Sequence, residues 1–343
     1  LLIGYYYSSL YEKKQALLKP IGMFSFMKIC FVLQRRYAFL GNYLAEILQD
    51  KYGQKDFCGY VFLRSSYEFL KQQKNVNYSG LILDEDIHNE SQKAKLDLDY
   101  LKQLEKEYGI PYFWPFIAVD RITMFNQLVR EYPYNTPHYT HEEMLLKLQV
   151  TAKRITDFLD KEKPDYIVYS AIGAIGHMLL YYMAKKRGIK ILNIVTTSLK
   201  NRFAVNESYC YIDWANEHFK QNLAKGRRDK TYQDAKIYLD DFRKNPHPYN
   251  AEAVPNKQPV KRSKQFSFLK PLNFFRSLHW FGFVLREYFT TPYKHDYSYI
   301  PPWYYLLDRI KRKLRNLIGV KDLYDKFDPN EDFAYFPLHY EPE

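Results

Sequence analysis

Residues 164–197 read Pro-Asp-Tyr-Ile-Val-Tyr-Ser-Ala-Ile-Gly-Ala-Ile-Gly-His-Met-Leu-Leu-Tyr-Tyr-Met-Ala-Lys-Lys-Arg-Gly-Ile-Lys-Ile-Leu-Asn-Ile-Val-Thr-Thr. Asp165 to Tyr169 is short, apolar and β-branched or aromatic, which predicts a buried strand. A glycine-containing loop from Ser170 to Gly173 follows, then a helical stretch from Ala174 to Arg187 that Gly188 ends, then a second apolar strand from Ile189 to Val195. Strand, helix and strand in this order make a βαβ unit, whose crossover is right-handed and whose strands are parallel.

Outward from this unit the alternation repeats. Lys28 to Leu33 predicts a first strand, followed by Gln34-Arg35-Arg36 and a helix from Tyr37 to Lys51 with Gly53 behind it. Phe57 to Leu63 and Tyr78 to Leu83 predict further strands, the first followed by a helix from Ser65 to Gln73 and the second by a polar loop and a charged helix from Gln92 to Tyr108. Tyr112 to Val119 is an aromatic run that reads as another strand. Thr140 to Lys161, with apolar residues at Leu145, Leu148, Ala152, Ile155 and Leu159, predicts a long helix with one buried face. The expected fold is a Rossmann-type α/β domain over residues 23–215, with a parallel sheet flanked by helices.

Residues 1–22 form an N-terminal extension without a secretory signature. Beyond residue 215 the alternation stops. Residues 216–330 are expected to be a helical and loop-rich insertion or linker, with a polar helix from Asn216 to Arg243 and prolines at 246, 248, 255 and 259. Residues 261–320 carry twelve Lys or Arg against three acids, most of the chain's net charge of +12, interleaved with Trp, Tyr and Phe. Within them Ile310, Leu314, Leu317 and Ile318 share a helical face, with Lys311, Arg312, Lys313 and Arg315 around it, a pattern suited to an anionic membrane surface. Packing of the aromatics on the sheet domain is the plainer reading of the same pattern.

Three cysteines, Cys30, Cys58 and Cys210, exclude a disulfide framework and point to a reducing compartment. No apolar run reaches the roughly 18 residues of a membrane span, because Lys28, Lys270, Arg276 and Arg286 interrupt the best candidates. P-loop, zinc-protease and α/β-hydrolase motifs are absent from the sequence.

The last residues, Tyr335-Phe336-Pro337-Leu338-His339-Tyr340-Glu341-Pro342-Glu343, resemble the Pro-Leu-(His/Gln)-x-x-Pro-Glu signature of bacterial capsule and surface-polysaccharide biosynthesis proteins. These are GT-B-like glycosyltransferases, a group that includes capsular Kdo transferases. Met27 to Arg36, Gly109 to Arg121 and Pro164 to Thr197 are similar to the same family. The resemblance implies a GT-B-like N-terminal domain, with residues 331–343 as the first strand of a second, truncated Rossmann domain that would hold the donor nucleotide. It implies transfer of a sugar from a nucleotide-activated donor to a lipid-linked or polysaccharide acceptor. The site would be cytoplasmic, peripheral on the inner face of the membrane, with no cofactor beyond the donor substrate, no metal and no nucleic acid. The piece alone is expected to be inactive.

Glycosyl transfer needs a base for the acceptor hydroxyl and donors for the leaving diphosphate. His339 and Glu341 are the expected catalytic pair. Arg35, Arg36, Arg121, Gly173, Thr197, Asn201 and Arg202 are the expected substrate contacts, since several follow strands at the edge where open α/β sheets bind ligands. Asp84-Glu85-Asp86 mimics the metal-holding Asp-x-Asp of the other main glycosyltransferase fold, though such short acidic matches arise often by chance. His177 reads as a structural histidine. Two other classes stay open: a non-catalytic carbohydrate-assembly scaffold, and a basic nucleic-acid-binding protein, which salt-dependent retention on DNA or RNA would reveal.

Overall fold

The computed structural model describes residues 27–126, 137–197, 202–246, 266–267 and 270–318. They form two compact units, one drawn from Leu1–Thr123 and His141–Arg227, the other from Met124–Thr140 and Arg228–Glu343.

The first unit is an open α/β sheet. Its strands are β1 (Ile29–Leu33), β2 (Phe57–Val61), β3 (Tyr78–Leu83), β4 (Tyr166–Tyr169), β5 (Lys190–Thr196) and β6 (Phe203–Asn206), in the spatial order β3-β2-β1-β4-β5-β6. The first five run parallel, and β6 closes one edge antiparallel to β5. The chain winds outward from β1 through β2 to β3, then returns to place β4 on β1's other side, with Cys30 opposite both Cys58 and Ile167. Helices α1 (Tyr37–Tyr52), α2 (Arg64–Gln72), α3 (Asp84–Glu90), α4 (Leu98–Tyr108), α5 (Trp114–Val119), α6 (Arg121–Phe125), α7 (His141–Glu162) and α8 (Ile175–Lys186) connect the strands.

Strand side chains alternate between the two faces. One face packs Phe31, Leu33, Phe57, Val61, Leu83 and Val168 against Ala38 and Ala45 of α1 and Leu70 of α2, all fully or nearly fully buried. The other carries Cys30, Val32, Cys58, Tyr60, Ile167 and Tyr169, and meets α7 and α8. All three cysteines are free thiols.

Several expectations are corrected. The aromatic run Tyr112 to Val119 is no strand: Trp114–Val119 is helical, and Pro115 fits a first helical turn, where no N–H is needed. The polar loop after β3 is the helix α3, and three acids in its first turn suit the positive end of the helix dipole. The charged helix begins only at Leu98, where the Asp97 carboxylate accepts from Tyr100 N at 2.9 Å, after a short 3₁₀ turn over Ser91–Lys93. The polar helix expected from Asn216 to Arg243 is two, α9 (Ala215–Ala224) and α10 (Lys230–Lys244), broken at Gly226 with its φ of 59° and restarted by Asp229 accepting from Tyr232 N. The edge strand β6 was not anticipated.

The second unit contains α10 and two long helices, α11 (Pro271–Thr290) and α12 (Pro302–Ile318). The rings of Tyr288 and Trp303 lie 5.4 Å apart, those of Trp280 and Tyr305 5.7 Å apart, and the Arg309 guanidinium sits 4.5 Å from the Trp280 ring. The linker prolines at 248, 255 and 259 and the strand expected at 331–343 lie outside the described residues. Among the described residues, no helix is long and apolar enough to cross a membrane.

Candidate functional site

The strand order reverses between β1 and β4, and in such sheets ligands bind beyond the carboxyl ends of the strands at that point. The loop leaving β1 is Gln34-Arg35-Arg36. Gln34 Nε2 donates to Ser170 Oγ at 3.3 Å, tying this loop to the one leaving β4. Arg35 holds a left-handed φ of 43°, a conformation that costs a non-glycine residue about 1 kcal/mol and is often found at functional sites. Its carbonyl accepts from Ser66 Oγ at 3.3 Å and from Ala38 N at 3.2 Å, which fixes the turn. The Arg35 and Arg36 side chains are exposed, and so is Gly173 in the facing loop. The fold thus sets Arg35, Arg36 and Gly173 on the loops that leave the adjacent strands β1 and β4.

One strand further over, the carboxyl ends of β2 and β3 carry a polar cluster that sequence reasoning largely missed. Tyr60 Oη donates to Asp84, the first residue of α3. A Cβ on Gly176 would strike the Tyr60 hydroxyl, so only glycine lets the first turn of α8 approach this closely. Asp120 is 5% exposed; Oδ2 accepts from Ile175 N at 2.8 Å, and Oδ1 accepts from Ile122 N at 2.8 Å and Thr123 N at 3.1 Å. Burial raises the Asp120 carboxyl above its ordinary range, and these N–H groups work against that shift. The start of α8 therefore seats the Asp120 carboxylate on Ile175 N.

Lys147 of α7 is 5% exposed, with Nζ 3.3 Å from His88 Nε2 and 3.2 Å from Ser91 Oγ. Burial brings its amine down to about 8, and Glu143, Asp120 and Asp84 oppose the fall. Asp84, His88, Asp120, Thr123, Lys147 and Thr151 line a recess of about 20 Å³, room for one water-sized group. A lysine titrating near neutral pH beside two carboxylates can pass a proton to or from such a group. His177 is 1% exposed, its ring 5.2 Å from Phe62 and 6.0 Å from Tyr60, and neither ring nitrogen has a hydrogen-bond partner among the described residues. Burial pushes it down to about 4, so it is neutral at physiological pH.

The remaining sequence-predicted residues are dispersed. Arg121 is half-buried beside Asp120 in the chain. Thr197 follows β5, its Oγ1 donating to the carbonyl of the exposed Arg202 at 3.0 Å, two strands from β1. Lys311, Arg312, Lys313 and Arg315 lie on α12 in the second unit. Asn201, His339 and Glu341 lie outside the described residues. The Asp-x-Asp look-alike is committed elsewhere: Asp84 bonds Tyr60, Glu85 accepts from Arg64 N at 2.6 Å, and Asp86 pairs with the Arg64 guanidinium. Among the described residues, no group of three or more His, Cys, Asp or Glu side chains is arranged to hold a metal ion.

The signal for Lys147 was present in the sequence. It falls three residues after Met144 and four before Thr151, on the buried stripe of α7. Asp120 gave no such signal, because its role depends on the start of α8, which is 55 residues away in the chain. No protein-family model and no curated protein matches the chain.

Proposed function

We propose that the protein is a glycosyltransferase of the GT-B type acting in surface-polysaccharide assembly, and that the crevice between β1 and β4 receives an anionic acceptor glycan. The observation that carries this reading is the arginine pair at the switch point, held on a fixed, left-handed turn and tied across to the loop after β4. A guanidinium fork suits the phosphate of a lipid-linked sugar or the carboxylate of a sugar acid. Arg121, Thr197, Asn201 and Arg202 would extend the acceptor side. His339 and Glu341 would supply the base, with the donor a nucleotide sugar. The chain's net charge of +12 favours such phosphorylated or acidic substrates.

The test is a titration of the chain with a glycosyl phosphate and with a short sugar-acid oligosaccharide. Binding of either, weakened at least tenfold in Arg35→Ala/Arg36→Ala with the fold intact, supports the reading. No binding of either, or equal binding by that variant, removes it. Binding without sugar transfer by the full protein, supplied with nucleotide sugars, would leave the scaffold reading in its place.

A further inference from the structure

Helices α11 and α12 leave a large apolar surface in solvent. On α12, Trp303, Leu306, Leu307, Ile310, Leu314 and Leu317 recur every three or four residues, and each is 42–54% exposed. On α11, Phe275, Leu278, Phe283 and Phe289 are 56–66% exposed. The two helices are joined through Trp280 on Tyr305 and Tyr288 on Trp303, so Trp303 belongs to their seam, while Leu306, Leu307, Ile310, Leu314 and Leu317 of α12 carry the exposed stripe. An apolar patch of this extent marks an interaction surface.

Charge decides what covers it. Residues 270–318 carry nine Lys or Arg and three acids. The only acid on α12 is Asp308, which is 4% exposed and pairs with Arg312 at 3.0 Å, so that helix presents no carboxylate to its surroundings. Arg309, Lys311, Lys313 and Arg315 flank the stripe. Nucleic acid would use the cations and aromatic rings but leave a Leu and Ile stripe unemployed. A phospholipid headgroup layer uses both, acyl boundary for the stripe and phosphate for the cations. Arg276 and Arg286 interrupt α11, so the pair would lie in the plane of the layer.

We propose that α11 and α12 form an interfacial anchor that docks the protein on an anionic phospholipid membrane, with the α12 stripe in the acyl boundary and its basic flanks on the headgroups. This inference stands on the second unit alone and does not rest on the proposed transferase activity. The full chain should co-sediment with vesicles of phosphatidylcholine and phosphatidylglycerol, and much less with phosphatidylcholine alone. Lys311→Gln/Lys313→Gln/Arg315→Gln should weaken that binding roughly 100-fold, about fivefold per charge near the surface. The Lys311→Arg/Lys313→Arg variant should bind as the parent does. Ile310→Gln/Leu314→Gln should also lose the vesicles while keeping its helical circular dichroism and monomer mass. Equal binding to neutral vesicles, no binding to either, or unchanged binding by the charge variant would overturn the proposal. So would a stripe variant whose chief change is loss of self-association, which would assign the surface to a second copy of this chain. Vesicles carry no sugar, so this test and the acceptor titration fail separately.

Discussion

At the amino-terminal end of the sheet, Lys28, Ser79, Glu162 and Asp165 form a closed set, whereas at the carboxyl end two arginines face solvent and a histidine is buried without a hydrogen-bond partner among the described residues. Lys28 Nζ meets Glu162 at 3.1 Å, Ser79 Oγ donates to the same carboxylate at 2.7 Å, and Lys28 N donates to Asp165 at 2.7 Å. Burial works against both charges, yet the pairing holds Glu162 below and Lys28 above their ordinary ranges. At the other end Lys147 and His177 are pushed toward their neutral forms, and Arg35 sits in a costly backbone conformation. Charges satisfied at one end and strained at the other divide the sheet into a stabilising edge and an edge available for chemistry.

The sharpest way to break this division is at Glu162, which is 4% exposed. Glu162→Ala leaves Lys28 with the exposed Asp56 carboxylate at 3.4 Å as its remaining ion-pair partner and removes an acceptor from Ser79, and should cost about 2 kcal/mol in urea unfolding, with ligand binding at the opposite end untouched. A loss below 1 kcal/mol would show the amino end is not the stabilising one.

Acid should then separate the ends by pH window. His177 has an ordinary value of 6.5 and sits at about 4 in the fold, so the unfolded chain binds the proton first and stability falls as pH drops from 6.5 toward 4. The loss is about 3 kcal/mol for a fully buried group with this shift. Glu162 is depressed instead; its contribution is present above its ordinary 4.5 and disappears below it. His177→Phe should flatten the upper window only, and unfolding free energies measured across pH 4 to 6.5 would show an unchanged slope if the assignment is wrong.

Arg35→Ala/Arg36→Ala should lower acceptor binding by roughly 10- to 100-fold, the usual worth of charge-assisted contacts, and move stability by less than about 0.5 kcal/mol. A matching loss of thermal stability would turn the arginines into part of the scaffold. The smallest effect is expected at Gln34, whose Ala variant loses one partly buried hydrogen bond, about 1 kcal/mol or less, and a few-fold in binding through a looser crevice.

The parallel core was legible because its signals are local. The Pro164 to Thr197 unit, the strands β1 to β3 and the helices that follow β1 and β2 keep to their periods, and the structure returns each within a residue or two. The misreadings occur where two local rules compete. Pro115 with aromatic neighbours satisfies both a buried strand and a helix start, and packing of Phe116 and Ile117 selected the helix. Asp84 to Glu90 is polar enough for a loop, but its acids lie where a helix dipole favours them. β6 has only four residues with alternate burial, and its pairing with β5 decides it. The place of the arginine pair at the carboxyl end of β1 was readable from the sequence because the pair directly follows a strand. The Tyr60, Asp84, Asp120 and Lys147 cluster could not, since four separate segments supply it and no spacing between them encodes the contact.

The winding order of the sheet also has a temporal side. β1 finds β2 within some thirty residues, but its other neighbour begins at Tyr166, about a hundred residues after β2 ends. At ribosomal speeds of roughly 5 to 20 residues per second, that interval lasts on the order of 5 to 20 s. Through it, the strand that becomes the middle of the sheet presents Ile29, Cys30 and Phe31 along an unpaired backbone. Nascent chains of this protein should therefore engage holding chaperones until residues 166–169 have cleared the exit tunnel, and be released once β4 covers that edge.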